Sequence, residues 1–383
     1  MSLSNSFKAN GILAAAVILS IAGQSMQNLS APLWHSALPT EACTDAFVMY
    51  LVMITWYPIM FFVTSVVIRL AKRQSPLGFV FRFSLRQHGQ IILTGLSDAL
   101  NGALVIPASP SERTPAIVAA LIGNTTLLPM IVIKHFFFRV RSLSVYRHRL
   151  FSTTILLYLA ATYTLVYPVI HNGAEANAKV LWWLVFFFGA IFGNFYNMQQ
   201  EKSFKDWKLY LFQDQIEYLF WQTFYLFLWG FALSWMDIIP GFGDAVDRGM
   251  ACSLRDTFRF SFMGMAFLYN TMFNVGYYIT YIAAASVNKS DALIGTVSSI
   301  AVTAVVTAVA YPSDVLTPDR SVVMIGLVPL TVLLTALATV SFVLWSRETA
   351  AYDNAETVSC SNDNDADSNI QTTTTNEKAP LLA

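Results

Sequence analysis

Thr94, Ser97, Asp98 and Asn101 stand at i, i+3, i+4 and i+7 in an otherwise apolar stretch, and at that spacing they share one face of a helix. The carboxylate is the costly member. An Asp near a bilayer centre costs roughly 2.5–3.5 kcal/mol, so it must face protein or a watered cavity rather than lipid. There it is equipped to bind a cation or to take up and release a proton during transport; its structural use would be to tie helices together through Ser or Asn partners. A second stripe holds Asn270, Asn274, Tyr277, Tyr278 and Tyr281, amides and phenols suited to a polar or aromatic solute. Asn124, Thr125 and Thr126 precede Pro129, and Thr296, Ser299, Thr303 and Thr307 recur at helical spacing. Small hydroxyl residues also serve close helix packing, so these two stripes carry both readings. Gln222, with Trp221 and Tyr225, and the pair Asn194 and Asn197 are further cavity candidates. Asp214 and Glu217 are expected to reach for water beside Lys208.

Other chemistries lack their parts. The five histidines, His35, His88, His135, His148 and His171, are scattered, with no cluster for acid–base or nucleophilic catalysis. The three cysteines have no metal-ligand spacing, so no metal is expected. No nucleotide-binding motif is present. The chain is therefore read as neither an enzyme nor an ATP-driven pump, and as needing no cofactor.

The elements that must position the polar stripes are long and apolar. Of 383 residues 55% are hydrophobic and 12% charged, against about a quarter charged in soluble proteins. The apolar residues gather in runs near the ~20 needed to cross a bilayer. Ten spans are expected, at 10–29, 46–68, 90–106, 116–136, 151–170, 180–198, 210–235, 258–282, 292–311 and 322–345. The fold class is an all-α polytopic membrane protein.

Lys and Arg alternate from loop to loop. Only Arg113, Lys179, Arg248, Arg255, Arg259 and Arg320, of 23 in all, fall on one side, so the positive-inside rule puts the others, and both termini, in the cytosol. That alternation explains the basic clusters by topology and leaves no nucleic-acid partner. Among the glycosylation sequons only Asn28-Leu29-Ser30 falls where an acceptor is topologically allowed. Cys43 and Cys252 share the non-cytosolic side, where either a disulfide or two free thiols is open. The turn Pro107-Ala108-Ser109-Pro110 reads equally as a hinge or as a tight surface turn.

Cutting the core near its middle leaves five spans per half, 10–170 and 180–346. An odd number per half means opposite orientations, the inverted repeat of transporters. A weak echo agrees: Ala120-Leu121-Ile122-Gly123 returns as Ala292-Leu293-Ile294-Gly295, an offset of 172 residues. Residues 1–9 form a short cytosolic lead. Residues 348–383 are too polar to fold alone and are expected to be a disordered cytosolic tail. It ends Glu377-Lys378-Ala379-Pro380-Leu381-Leu382, which resembles an acidic dileucine signal, with Glu377, Leu381 and Leu382 read by clathrin-adaptor proteins.

The run Gly95-Leu96-Ser97-Asp98-Ala99-Leu100, the short Ser-Pro turn and Leu127-Leu128-Pro129-Met130 resemble the chloroquine-resistance-transporter-like family of the drug/metabolite transporter superfamily. So do the basic stretch 134–149 and the region from Asn274-Val275 to Tyr311-Pro312 with Ser290-Asp291-Ala292-Leu293. The resemblance covers 10–345 with loose motifs. It implies ten helices in two inverted five-helix repeats around a central cavity, in the membrane of a lysosome-like or digestive vacuole. It also implies export of amino acids, peptides or cationic solutes and drugs toward the cytosol with protons. The family's third-span Asp falls on Asp98. The Gln that many members carry four residues before the fourth-span Pro is Thr125 here, and the two cystine bridges of several members' lumenal loop have only Cys252 to match.

The expectation is a proton-coupled secondary transporter of small polar or cationic solutes at an endolysosomal or vacuolar membrane, working by alternating access with Asp98 as the coupling site. Its partners are the small-molecule solute and the lipid bilayer; the sequence gives no oligomeric state. The alternative is a nucleotide-sugar or other metabolite exchanger, which would want a more basic cavity than these spans offer. A membrane-embedded enzyme is the weaker third reading.

Overall fold

In the computed structural model, residues 3–39, 42–110, 113–114, 149–171, 174–239 and 249–287 are described, with isolated positions between 119 and 133 and between 330 and 345. These residues are mostly helical. In chain order they form α1 (Leu3–Ala37), α2 (Ala46–Ala71), α3 (Leu85–Ala108), α4 (Arg149–His171), α5 (Ala174–Asp206), α6 (Phe212–Leu233), the short α7 (Met250–Ser261) and α8 (Gly264–Val287). The isolated positions of the fourth and tenth expected spans are helical too; the ninth lies outside the described residues. Among the described residues, α2, α3 and the Val180–Asp206 part of α5 are long and apolar enough to cross a membrane. With 24 residues, α3 extends about 36 Å at ~1.5 Å per residue, more than the ~30 Å hydrocarbon core.

Local chemistry sets the boundaries. The Asp45 side chain accepts from the backbone N–H of Phe47 (2.6 Å) and Val48 (3.3 Å) and starts α2. Ser84 and Gln87 form a reciprocal capping box, which starts α3 five residues before the apolar run. Such caps satisfy N–H groups that a helix leaves unpaired. The eighth expected span, 258–282, is not one helix. It breaks after Ser261 and restarts at Gly264, whose φ is +54°, a conformation that glycine adopts at little cost. The apolar run therefore belongs partly to α7 and mainly to α8.

The helices pack as antiparallel pairs, α1 on α8, α2 on α6 and α3 on α5, with α6 also against α3. One core joins Tyr50, Met53 and Phe61 of α2, Ala99 and Ala103 of α3, Ile216 and Leu226 of α6 and Tyr277 and Tyr281 of α8. At the crossing of α1 and α8 the backbones nearly touch. A Cβ built on Gly276 would lie 2.6 Å from the Gly23 carbonyl oxygen and 2.9 Å from Met26 Cβ, so both positions require glycine, as at close crossings in membranes generally.

The two ends of the bundle differ. At one, which carries Lys72, Arg73, Arg86, Lys202, Lys205 and Lys208, the α2–α3 loop is drawn inward. Phe79 is fully buried against Phe62 and Phe220, and Arg82 reaches Asp214 and Glu217 on α6. At the other end Cys43 and Cys252 are joined by a disulfide that staples α7 to the start of α2. The Thr257 hydroxyl lies 2.9 Å from the Asp45 backbone N–H that donates to it. These are called below the basic end and the disulfide end.

Candidate functional site

Between α1, α2, α3, α5 and α8 lies a cavity of about 220 Å³ with Asp98 in its wall. Its volume is several times the ~30 Å³ of a water molecule. The Asp98 side chain is buried, at 4% exposure. Its Oδ2 accepts from Gln222 Nε2 on α6 and from the Tyr277 hydroxyl on α8, each at 3.2 Å. Two donors on two helices thus orient one carboxylate oxygen, and both become available if a cation takes it over.

Aromatic rings surround the carboxylate. Tyr277 stacks on Tyr57 with centroids 3.7 Å apart and planes 3° from parallel. Tyr281 follows at 4.5 Å from Tyr277, and Tyr196 of α5 lies 6.5 Å beyond it. Tyr50 donates to the Ala99 carbonyl at 3.0 Å. The lining also carries amides, Gln24, Gln27 and Asn28 from α1 and Asn101, Asn194 and Asn197 from α3 and α5. None of the described lining residues is Lys or Arg. A single carboxylate among ring faces and amides suits a cationic or neutral polar solute, since ring faces attract cations and no described group there would hold a phosphate.

The structure divides the residues singled out by sequence. Asp98, Asn101 and Tyr277 line the cavity, and Gln222 holds Asp98 from behind. Thr94 lies one turn from Asp98 and outside the cavity, accepting from the Tyr218 hydroxyl at 3.3 Å; it lines a separate polar pocket of about 150 Å³ with Gln90, Gln199 and Ser203. Ser97 lies between the two, donating to Leu93 O at 3.0 Å and to Gln199 Oε1 at 3.4 Å. Asn270 donates to the Ser261 carbonyl, the last of α7, and Asn274 donates to Asn270; both serve the α7–α8 junction. The Tyr278 hydroxyl pairs with Thr64 at 2.6 Å. Asn124, Thr125, Thr296, Ser299 and the tail residues Glu377, Leu381 and Leu382 lie outside the described residues.

One expectation is corrected. Glu217 does not reach for water: it is fully buried, with Arg69 at 2.7 Å, Arg82 at 2.6 Å and Gln213 at 2.8 Å. Pairing by two guanidiniums, not escape to solvent, is what makes the charge tolerable there. Asn28, near the end of the first expected span, lies within α1, nine residues before the helix ends, and lines the cavity.

Sequence reasoning missed Tyr50 and Tyr57, seven apart and so on one face of α2, and the amide stripe Gln24, Gln27, Asn28 at i, i+3 and i+4. The second carries the same periodic signal as the Asp98 stripe.

At the disulfide end Cys43, Cys252 and Asp256 bring possible metal-ligand atoms within 4.8 Å of one another. The disulfide uses both sulfurs, so the oxidised protein offers only the carboxylate. Asp256 instead accepts from Arg255 Nε at 2.8 Å and from the Cys43 backbone N–H at 3.4 Å. The Arg255 guanidinium holds its carboxyl below the usual carboxylate range.

No family model matches the chain, and no curated protein matches it.

Proposed function

We propose that this chain is a secondary active transporter of small polar or cationic solutes, amino acids, peptides or basic drugs among them, across an endolysosomal or vacuolar membrane. It works by alternating access of two inverted five-helix halves, with Asp98 as the proton or cation coupling site, in the manner of the chloroquine-resistance-transporter-like family it resembles. The observation that carries the reading is the cavity between helices of both halves with one buried carboxylate among its described lining residues. Intramembrane carboxylates of this kind mark solute and ion pathways.

The helix pairing supports the inverted repeat. Numbered as spans, α1, α2, α3 and α4 are the first, second, third and fifth, and α5, α6 and α8 the sixth, seventh and eighth. The principal contacts are then first with eighth, third with sixth, second with seventh and third with seventh. Exchanging the halves, first for sixth, second for seventh and third for eighth, maps first–eighth onto third–sixth and second–seventh onto itself. It maps third–seventh onto second–eighth, which are also in contact. Ser341 of the tenth span accepts from Thr154 of α4 at 2.9 Å, so fifth with tenth obeys the same exchange. A pseudo-two-fold axis in the membrane plane generates such a scheme.

The exchanger alternative loses weight because no described lining residue is cationic. The deciding experiment is uptake of labelled amino acids, small peptides and basic drugs into liposomes holding purified protein, with and without a pH gradient. Gradient-dependent uptake abolished by Asp98→Asn in a folded protein is the expected result. Uptake indifferent to that substitution would leave Asp98 as a tie between helices.

A further inference from the structure

A cavity that serves alternating access is shut at one end while open at the other. Here the lining stops at one level on three helices. On α2 it reaches Tyr57 and not Phe61, on α3 Asp98 and not Thr94, and on α8 Tyr277 and not Tyr281. Each pair is one turn apart on the same helix face, and in each the residue left out lies toward the basic end. Every other lining residue of α2, α3 and α8 lies toward the disulfide end. The cavity thus has a floor of Tyr57, Asp98 and Tyr277. Behind it Phe61, fully buried, touches Tyr281 and Tyr278 with ring centroids at 6.2 and 5.5 Å.

Two contacts hold the floor together, and Tyr277 makes both. Its ring stacks on Tyr57 across the α2–α8 seam, and its hydroxyl donates to Asp98 on α3. A solute arriving from the disulfide end meets Asp98 and the ring pair together at the floor, and any cation it brings to Oδ2 competes with that hydroxyl.

We infer that Tyr57 and Tyr277 are the shutter closing the cavity toward the basic end, and that the hydrogen bond from Tyr277 to Asp98 latches it, so that the occupant of Asp98 sets whether it opens. This rests on the transport reading for the traffic through the shutter, not for the shutter itself.

The test uses the full-length chain in membrane vesicles, with Cys360→Ser to remove the thiol outside the disulfide and Asn101→Cys as reporter. Asn101 lines the cavity one turn from Asp98 toward the disulfide end. A charged, membrane-impermeant thiol reagent is applied from each side in turn. The reporter reacts from the disulfide side and is protected from the basic side. Tyr277→Phe keeps the ring and deletes the latch, and raises labelling from the basic side roughly tenfold, the population shift that follows loss of one hydrogen bond to a carboxylate. Tyr57→Leu, which deletes the stack, does the same by a different route. Equal labelling from both sides in the parent, labelling from neither, or protection unchanged in both variants overturns the inference. The labelling is read whether or not any solute is carried. A panel that shows no uptake with the labelling pattern intact therefore counts against the transport reading alone.

Discussion

Glu217 on α6 and Arg69 near the end of α2, 148 residues apart in the chain, meet at 2.7 Å with the carboxylate fully buried. Arg82, from the loop that follows α2, closes on the other oxygen at 2.6 Å. Removing one partner of a buried pair strands the other charge, at a cost of about 3–5 kcal/mol. Glu217→Ala is expected to lie in that range and Arg69→Ala below it, because Arg82 still covers the carboxylate. The double variant should lose less than the sum of the two singles, with a coupling of about 1 kcal/mol or more. Thermal unfolding of the purified protein in detergent measures all three; strict additivity would show that the two groups do not act on one another.

The α1–α8 crossing gives a steric prediction. Gly276 leaves no room for a side chain beside Gly23 and Met26, and its neighbour Thr280 is tied to α1 by Gln27 at 3.3 Å. Gly276→Val forces the helices apart and should destabilise by about 1–3 kcal/mol, the usual range for overpacking. Gly89, with open space where a Cβ would go, is the control: Gly89→Ala should be stabilising by up to about 1 kcal/mol, from helix propensity alone. A melting comparison of the two variants decides it.

How much of this was legible beforehand follows from what each residue does. The Asp98 stripe was readable because one charge in an apolar run has few tolerable places to go. The stripe of Gln24, Gln27 and Asn28 has the same spacing, but amides stand out less than a carboxylate, and Asn28 was read as a glycosylation acceptor. Tyr50 and Tyr57 were hidden because tyrosine in a membrane span passes as an interface or packing residue. Glu217 was misjudged for another reason. Its partners sit on a different helix and a different loop, and no local pattern reports a pairing across 148 and 135 residues. Asn270 and Tyr277 share a stripe in sequence and separate in use, because the break at Gly264 gives Asn270 a helix end to cap.

The staple at the disulfide end makes two linked predictions. In unreduced, unfolded protein only Cys360 should react with a thiol reagent, and after reduction all three cysteines. The second concerns pH. Because Arg255 lowers the folded-state value of Asp256 below its ordinary one, the contribution of this carboxylate is fully present above about pH 4, the unfolded value, and is lost only as pH falls through the lower folded value. Hydrogen exchange of the α7 amides should therefore be the same at pH 7 and pH 5 once corrected for intrinsic rates. Loosening confined to that window would place the sensitive group elsewhere.

Asn28 closes the set, because its sequon and its position disagree. Glycans are bulky and hydrated and belong on surface loops. Asn28 instead lies about 14 Å along the axis from the end of α1, at ~1.5 Å per residue, against the cavity and beside Gln27, which donates to the Gly23 carbonyl at 3.4 Å and to Thr280 at 3.3 Å. A sugar there would occupy the cavity that Asn28 lines. The protein from a glycosylating host should run at the same mobility before and after enzymatic deglycosylation, and Asn28→Gln should not change that mobility. A deglycosylation shift that Asn28→Gln removes would mean that this part of α1, where Asn28 is exposed, lies within reach of the glycosylating enzyme and not inside the membrane.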